Sequence, residues 1–375
     1  MEKERKYNLD WLRVIAFDLL ILYHVGMIFV PWNYHIKNNI TSDDFIFPML
    51  FLNQWRLPLL FVISGMGTCY ALSYKSIGNF INERTLRLIV PLFFGMMILV
   101  PPQVYVERLS QGASYSSYFD FYSTLFNGIY PNGNLSWHHL WFIVYLFFFT
   151  LVLTPLFVYI RNNPGLKPIE WLNNALSKYP FVIMIFPVPL IIIEALLYPL
   201  FGYTMAFWGD WYALSFYGVL FFYGFVLISL KNTFWTFIEK YRIYFLISAL
   251  VLTTAYFLLL HIELQIITCV VRIFNLWSWI LLLMGYSAKF LNKPGAVLRY
   301  RNEAVHPFYI LHHTVLLVLG FYVVELDVSV LLKFLVLVAG TFGIVWIIYE
   351  LFIRRYRLVR LLFGMKYKKQ SKVND

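Results

Sequence analysis

A series of apolar runs, each about 20 residues long, repeats through this chain from one end to the other. A helix needs about that length to cross the hydrocarbon core of a bilayer. Ten runs qualify, near residues 9–30, 48–72, 86–106, 137–160, 181–201, 211–230, 243–261, 264–287, 303–325 and 329–353. They predict an all-α polytopic membrane helical bundle of about ten transmembrane helices, because a spanning helix satisfies its own backbone hydrogen bonds without water. Composition agrees: 61% of residues are hydrophobic, 21% aromatic and 13% charged, where a soluble domain is about half apolar and about a quarter charged. A cytosolic enzyme, a secreted domain and a disordered chain are excluded. The first run is interrupted by Arg13, Asp18 and His24 and shows no small-residue cleavage site, so it reads as a retained helix rather than a signal peptide. Cys69 and Cys269 both lie in apolar runs and imply no disulfide framework.

Ten spans put both termini on one side, and the Lys and Arg distribution chooses which. One alternating set of connections, with the termini, carries 24 of the 30 Lys and Arg residues, and the opposite set holds only Lys37 and Arg108. Both termini are therefore expected to be cytoplasmic, with the protein in a cell inner (plasma) membrane. Residues 354–375 hold eight cations against Asp375, which is +7 of the formal net charge of +11. That basic cytoplasmic tail is expected to lie on an anionic membrane surface. No base-stacking or groove-reading module accompanies it, so no nucleic acid is expected as a partner. Residues 1–353 are expected to form a single membrane-embedded domain. The longest connection, 107–136, falls outside and is too short for a soluble domain, so chemistry belongs within the helices or at their edges. No matched pair of broken helices of the kind that builds many transporters is visible.

Ionisable groups at membrane depth cost about 3 kcal/mol unless they face a cavity or a partner, which makes them the first candidates for function. Arg13 and His24 are eleven residues apart, so on a helix they lie within about 20° of each other and about 16 Å apart along the axis. A guanidinium can hold a phosphate or carboxylate, and an imidazole can take a proton from a hydroxyl. An Arg snorkelling to the interface and a His bonded to a neighbouring helix meet the same spacing. In LSWHHLWFIVYL, His138 and His139 precede an aromatic run that begins at Trp141, a pattern that interfacial residues also give. VHPFYILHH puts His306 near the inner face and His312 and His313 inside the ninth run. Adjacent helical residues point about 100° apart, so only one of the last two is expected to face a cavity. With no His-x3-His, and no acidic residue at ligand spacing beside these pairs, no metal is expected. Arg84 and Arg87 share a face at a cytoplasmic helix start and can grip a phosphate, although the positive-inside rule alone would put them there. Asp18, Glu194, Glu263 and Arg272 read as mutually paired charges, for example Glu263 with Arg272. The small residues of FVISGMG read as a close helix contact.

Three of these segments together resemble the acyltransferase-3 family of integral membrane acyltransferases. They are LDWLRVIAFDLLILYH, with Arg13 and His24 in that family's Arg-x10-His arrangement, FVISG ending at Gly65, and Arg84-x-x-Arg87 before Pro91. Within the family, WRLPLLFVISG, HLWFIVYL, YILHH and IIYELFIRR with Glu350 are similar to the periplasmic-glucan succinyltransferases. The resemblance implies transfer of a succinyl or acetyl group from cytosolic acyl-CoA to a hydroxyl of an extracytoplasmic glucan or other glycan. It implies His24 as general base, with Arg13 also at the catalytic site and Arg84 and Arg87 binding the donor. His139, Trp141, His312 and His313 are expected to line the acceptor site or cavity. No permanently bound cofactor is expected. Acyl-CoA, the glycan and the lipid bilayer are the expected partners, and a homo-oligomer is left open. Some relatives add an extracytoplasmic hydrolase-like domain, whereas this chain is expected to pass the acyl group directly or through a separate partner. If the donor carries a succinyl carboxylate, Arg56 or Arg272 is a candidate counter-ion. The alternative reading is a transporter or flippase of a glycan or lipid-linked sugar, which needs buried charges but no base at His24.

Overall fold

The structure, a computed structural model, describes residues 5–262 and 264–366. Its helices are α1 (Tyr7–Met27), α2 (Ile46–Leu72), α3 (Ile77–Phe94), α4 (Val100–Ser110), α5 (Tyr118–Ser123), α6 (Trp141–Asn162) and α7 (Lys167–Lys178). They continue with α8 (Pro187–Phe201), α9 (Trp211–Ser229), α10 (Asn232–Leu259), α11 (Gln265–Phe290), α12 (Ala296–Val323), α13 (Val330–Ile348) and the short α14 (Arg357–Leu362). Among the described residues there is no strand, only an isolated bridge between Ile129 and Leu135. Among the described residues, nine helical runs are long and apolar enough to cross a membrane, and they match the expected spans from the second to the tenth. The chain is a polytopic helical membrane protein. α1 differs for a chemical reason. Every 18-residue window of its 21 residues contains Asp10, Arg13 and Asp18. α10 begins eleven residues before the expected span, because Glu239, Lys240 and Arg242 extend the helix past its apolar part. The connection at 167–178 is itself an amphipathic helix, α7, which burial of Leu172, Ala175 and Leu176 on one face explains.

The helices group into two compact units, each assembled from three stretches of chain. The first contains residues 1–16, 50–81 and 145–299, and the second residues 17–49, 82–144 and 300–375. In the first, α9 is a largely buried helix, whereas α10 is mostly exposed and presents Ile243, Ile247 and Val251 outward, as a lipid-facing helix does. The expected close contact at FVISGMG is present here: a Cβ on Gly65 would stand 1.9 Å from the Phe221 carbonyl oxygen, and one on Gly224 would stand 2.0 Å from that of Val62. Only glycine lets α2 and α9 approach so closely. Buried charges in this unit are paired. Arg272 bonds Glu194, and the alternative partner Glu263 lies outside the described residues.

In the second unit α12 is the buried helix, with 72% of its window inside, and α13 faces outward at 22%. Asp18 is paired with Arg301. Pro101 and Pro102 lack the N–H groups that would bond back along the chain, and the Tyr122 hydroxyl donates to the exposed Met97 carbonyl at 3.0 Å. Lys37 donates to the Met27 carbonyl at 3.0 Å and to that of Val30, closing the end of α1. Burial lowers the pKa of that ammonium below the usual lysine value. Arg108 ties the loop beyond α4 together through the carbonyls of Pro131, at 2.6 Å, and Gly133, at 2.8 Å. Part of the basic segment, described as far as Lys366, packs against its own unit. Arg360, 5% exposed, bonds Glu303 at 2.7 Å, and the Phe363 carbonyl accepts from His306 at 3.0 Å. Lys368, Lys369 and Lys372 lie outside the described residues.

A histidine cluster as the candidate active site

The second unit brings four of the predicted site residues into one cluster. α1 supplies His24 from its last turn, α12 supplies His312 and His313, and a 3-10 turn before α6 supplies His139. The His24 ring lies 5.2 Å from that of His312, nearly coplanar at 2°, and 4.9 Å from that of His313. His139 stacks on His313 at 4.6 Å and meets His312 edge-on at 5.3 Å. His312 and His313 were expected to diverge, one toward a cavity and one away. Both instead lie against His24, because its ring sits between their two directions. His312 is 0% and His313 1% exposed, and His24 is the half-buried member of the cluster.

The hydrogen bonds fix which nitrogen carries each proton in the neutral rings. His312 Nδ1 points at two backbone oxygens of its own helix, Tyr309 at 2.7 Å and Phe308 at 3.1 Å. Carbonyl oxygens only accept, so Nδ1 carries the hydrogen and Nε2 the lone pair. His24 Nδ1 lies 2.9 Å from that Nε2 and must therefore donate to it. The lone pair of His24 is left on Nε2. An aligned pair results, in which His312 fixes the tautomer and orientation of His24.

The second histidine is fixed as tightly. Gln103 donates its amide hydrogens to the Leu99 carbonyl at 3.1 Å and the Thr314 hydroxyl at 2.8 Å, which turns its oxygen toward His313 Nδ1 at 2.7 Å. His313 Nε2 then accepts from the Tyr34 hydroxyl at 2.8 Å. His139 donates from Nε2 to the Ile310 carbonyl at 3.1 Å, and its own carbonyl accepts from Tyr309 at 2.6 Å. Trp141, 6% exposed, packs edge-on against Phe142.

The predicted donor residues fall elsewhere. Arg87 on α3 donates to the Gly364 carbonyl at 3.2 Å and lies 3.7 Å from Glu83. The turn at Gly364 also abuts His306: a Cβ there would stand 2.7 Å from that ring. His306 is six residues before His312 on α12, so Arg87 sits about 9 Å along that helix from the cluster. Arg84 lies one turn before Arg87, half-buried. Arg13 belongs to the first unit, where it pairs with Asp10 at 3.2 Å, and Asp10 also binds Arg5 at 2.6 Å. It shares one unbroken helix with His24. Arg56 is 1% exposed in the first unit, and Arg272 is committed to Glu194. Sequence reasoning missed Tyr34 and Gln103. Gln103 had a signal, being an amide within an apolar run directly after two prolines, whereas Tyr34 is one of many tyrosines and had none.

Comparison with known proteins follows this geometry. Residues 6–350 match an acyltransferase domain family. Two similar curated proteins are glucans biosynthesis protein C of Escherichia coli (strain K12) and its namesake in Shigella dysenteriae serotype 1 (strain Sd197). Each is 26% identical over 167 residues, a match that covers 43% of this chain and 41% of the relative. No solved structure matches. Because the family match takes in α1 to α13 and every histidine of the cluster, the chain belongs to the acyltransferase-3 family of integral membrane acyltransferases.

Proposed function

We propose that this protein is a membrane O-acyltransferase that moves a succinyl or acetyl group from cytosolic acyl-CoA to a hydroxyl of an extracytoplasmic glycan. The single observation that carries the reading is the aligned His24–His312 pair, in which the bond to His312 places the hydrogen of the half-buried His24 ring on Nδ1. A sugar hydroxyl is a poor nucleophile unless its proton leaves in the transition state, and an imidazole is suited to take it near neutral pH. The acceptor hydroxyl gives its proton to His24 Nε2 as its oxygen attacks the thioester carbonyl. Collapse of the tetrahedral species breaks the C–S bond, and the proton passes from Nε2 to the departing thiolate, which regenerates the neutral ring. Arg84 and Arg87 hold the donor phosphates near the cytoplasmic side, and Arg13 stands on the same helix as the base. The names of the relatives support a glucan as the acceptor class.

The test is purified protein incubated with labelled succinyl-CoA or acetyl-CoA and a glucan oligosaccharide, following thiol release and label on the sugar. His24→Ala is expected to lower turnover about 10²- to 10⁴-fold, the usual worth of a general base. Near-normal transfer by His24→Gln would remove the base role. Glycan movement without thiol release from any donor would favour the flippase reading.

A further inference from the structure

Next to the cluster lies a second group of side chains that the acyl-transfer reading does not use. His35, from the segment after α1, Glu107, from α4, and His138, from the 3-10 turn before α6, converge so that His35 Nδ1, Glu107 Oε2 and His138 Nε2 all lie within 4.8 Å of one another. His35 Nδ1 is 3.1 Å and His138 Nε2 3.5 Å from the same carboxylate oxygen. Neither contact is an aligned hydrogen bond, although either ring, when protonated, lies close enough to pair with Glu107 Oε2. Glu107 is 3% and His138 9% exposed. A carboxylate oxygen facing two imidazole nitrogens is satisfied either by an N–H from a ring or by a cation held between them.

We propose that His35, Glu107 and His138 form a binding site for a divalent transition ion of the zinc class. With metal–ligand bonds of about 2.0–2.2 Å, the edge of a tetrahedral site is about 3.3 Å; the two contacts to Glu107 bracket that value, and the three atoms together lie within 4.8 Å. Two imidazoles and one carboxylate suit zinc and its neighbours rather than magnesium or calcium, and three protein ligands leave a fourth position open to water or a hydroxyl.

The surroundings orient the ligands as a metal site requires. The other oxygen of Glu107 accepts from the Tyr130 hydroxyl at 2.8 Å. The other nitrogen of His138 is 2.7 Å from the Ser136 hydroxyl, which leaves Nε2 for the ion. The two rings stack at 4.4 Å, nearly parallel at 14°, so ligating one ion requires them to splay from this stack. His138 holds a left-handed backbone at φ 41°, a strain of about 1–3 kcal/mol that non-glycine residues keep mainly at functional sites. The nearby cation Arg108 does not fill the role, since its guanidinium is spent on the Pro131 and Gly133 carbonyls. His35 meets His313 edge-on at 5.4 Å, so the ion would lie one ring away from the His24 cluster.

The experiment needs neither acyl donor nor glycan, so its outcome is independent of the acyltransferase reading. The full-length protein in detergent is stripped with chelator, titrated with Co²⁺ or Zn²⁺, and assayed for bound metal and for cobalt visible absorption. One ion per chain is expected, with excess Mg²⁺ unable to compete. Glu107→Gln and His138→Gln are each expected to weaken binding at least 10-fold. Tyr130→Phe, which touches only the support of the carboxylate, should weaken it about 10- to 100-fold and decides the matter if the ligand variants do not fold. His24→Ala should bind as the parent does. No stoichiometric metal in the parent overturns the site, as does retention by Glu107→Gln, or loss on His24→Ala alone, which would put the ion in the His24 cluster.

Discussion

Replacing His312 with Phe isolates the orienting half of the proposed catalytic pair. A ring remains in a space that is 0% exposed, but the nitrogen that accepts from His24 at 2.9 Å is gone. Removing the acceptor of a buried donor costs about 1–3 kcal/mol. If His24 turns or changes tautomer to recover that energy, the cost falls on the reactive geometry, and at about 1.4 kcal/mol per tenfold the turnover should drop about 5- to 150-fold. That is smaller than the loss expected for His24→Ala, as befits a residue that acts through another. The assay is single-turnover thiol release at saturating acyl-CoA, with the donor's KM unchanged. His312→Gln, whose amide oxygen can accept from the same Nδ1, should recover part of the rate. The double variant His24→Ala/His312→Phe should be no slower than His24→Ala, because no base is left to orient. A double variant slower by the product of the two single losses would refute the pairing, and so would a Gln variant as slow as Phe.

Two further outcomes are expected. Replacing Arg84 and Arg87 together with Ala should raise KM for acyl-CoA about 10²-fold, the worth of two charge-assisted bonds of about 1.5 kcal/mol each, and leave KM for the glycan little changed; equal rises would make the pair topological. In a Cys69→Ser/Cys269→Ser background, an impermeant maleimide should label Ser114→Cys from the extracytoplasmic side and Gln370→Cys only after the membrane is opened, and labelling of both from one side would sink the assigned topology.

Much of the helical architecture was readable because burial in lipid leaves long apolar runs that no other fold explains. α1 was readable for the same reason, although Asp10, Arg13 and Asp18 interrupt its apolar run. What escaped was contact between distant segments. His312 and His313 were visible as a pair, but their opposite assignments, one to His24 and one to Gln103 and Tyr34, depend on how α1 and α4 meet α12. The same holds for His35, Glu107 and His138, which come from three segments and so show no ligand spacing in the chain. A search for His-x3-His cannot find them. The burial of Arg360 against Glu303 was hidden by the charge around it, since a run of cations reads as a solvated anchor.

The direction of the His312 hydrogen bonds bears on proton movement. A chain of imidazoles conducts protons only if each ring can release its far proton as it accepts a near one. In His312 the far proton points at the Tyr309 and Phe308 carbonyls, which can hold it but cannot carry it away. A proton taken up by His24 in the proposed reaction is therefore not passed on through these two carbonyls, and in that reaction it leaves on the departing thiolate.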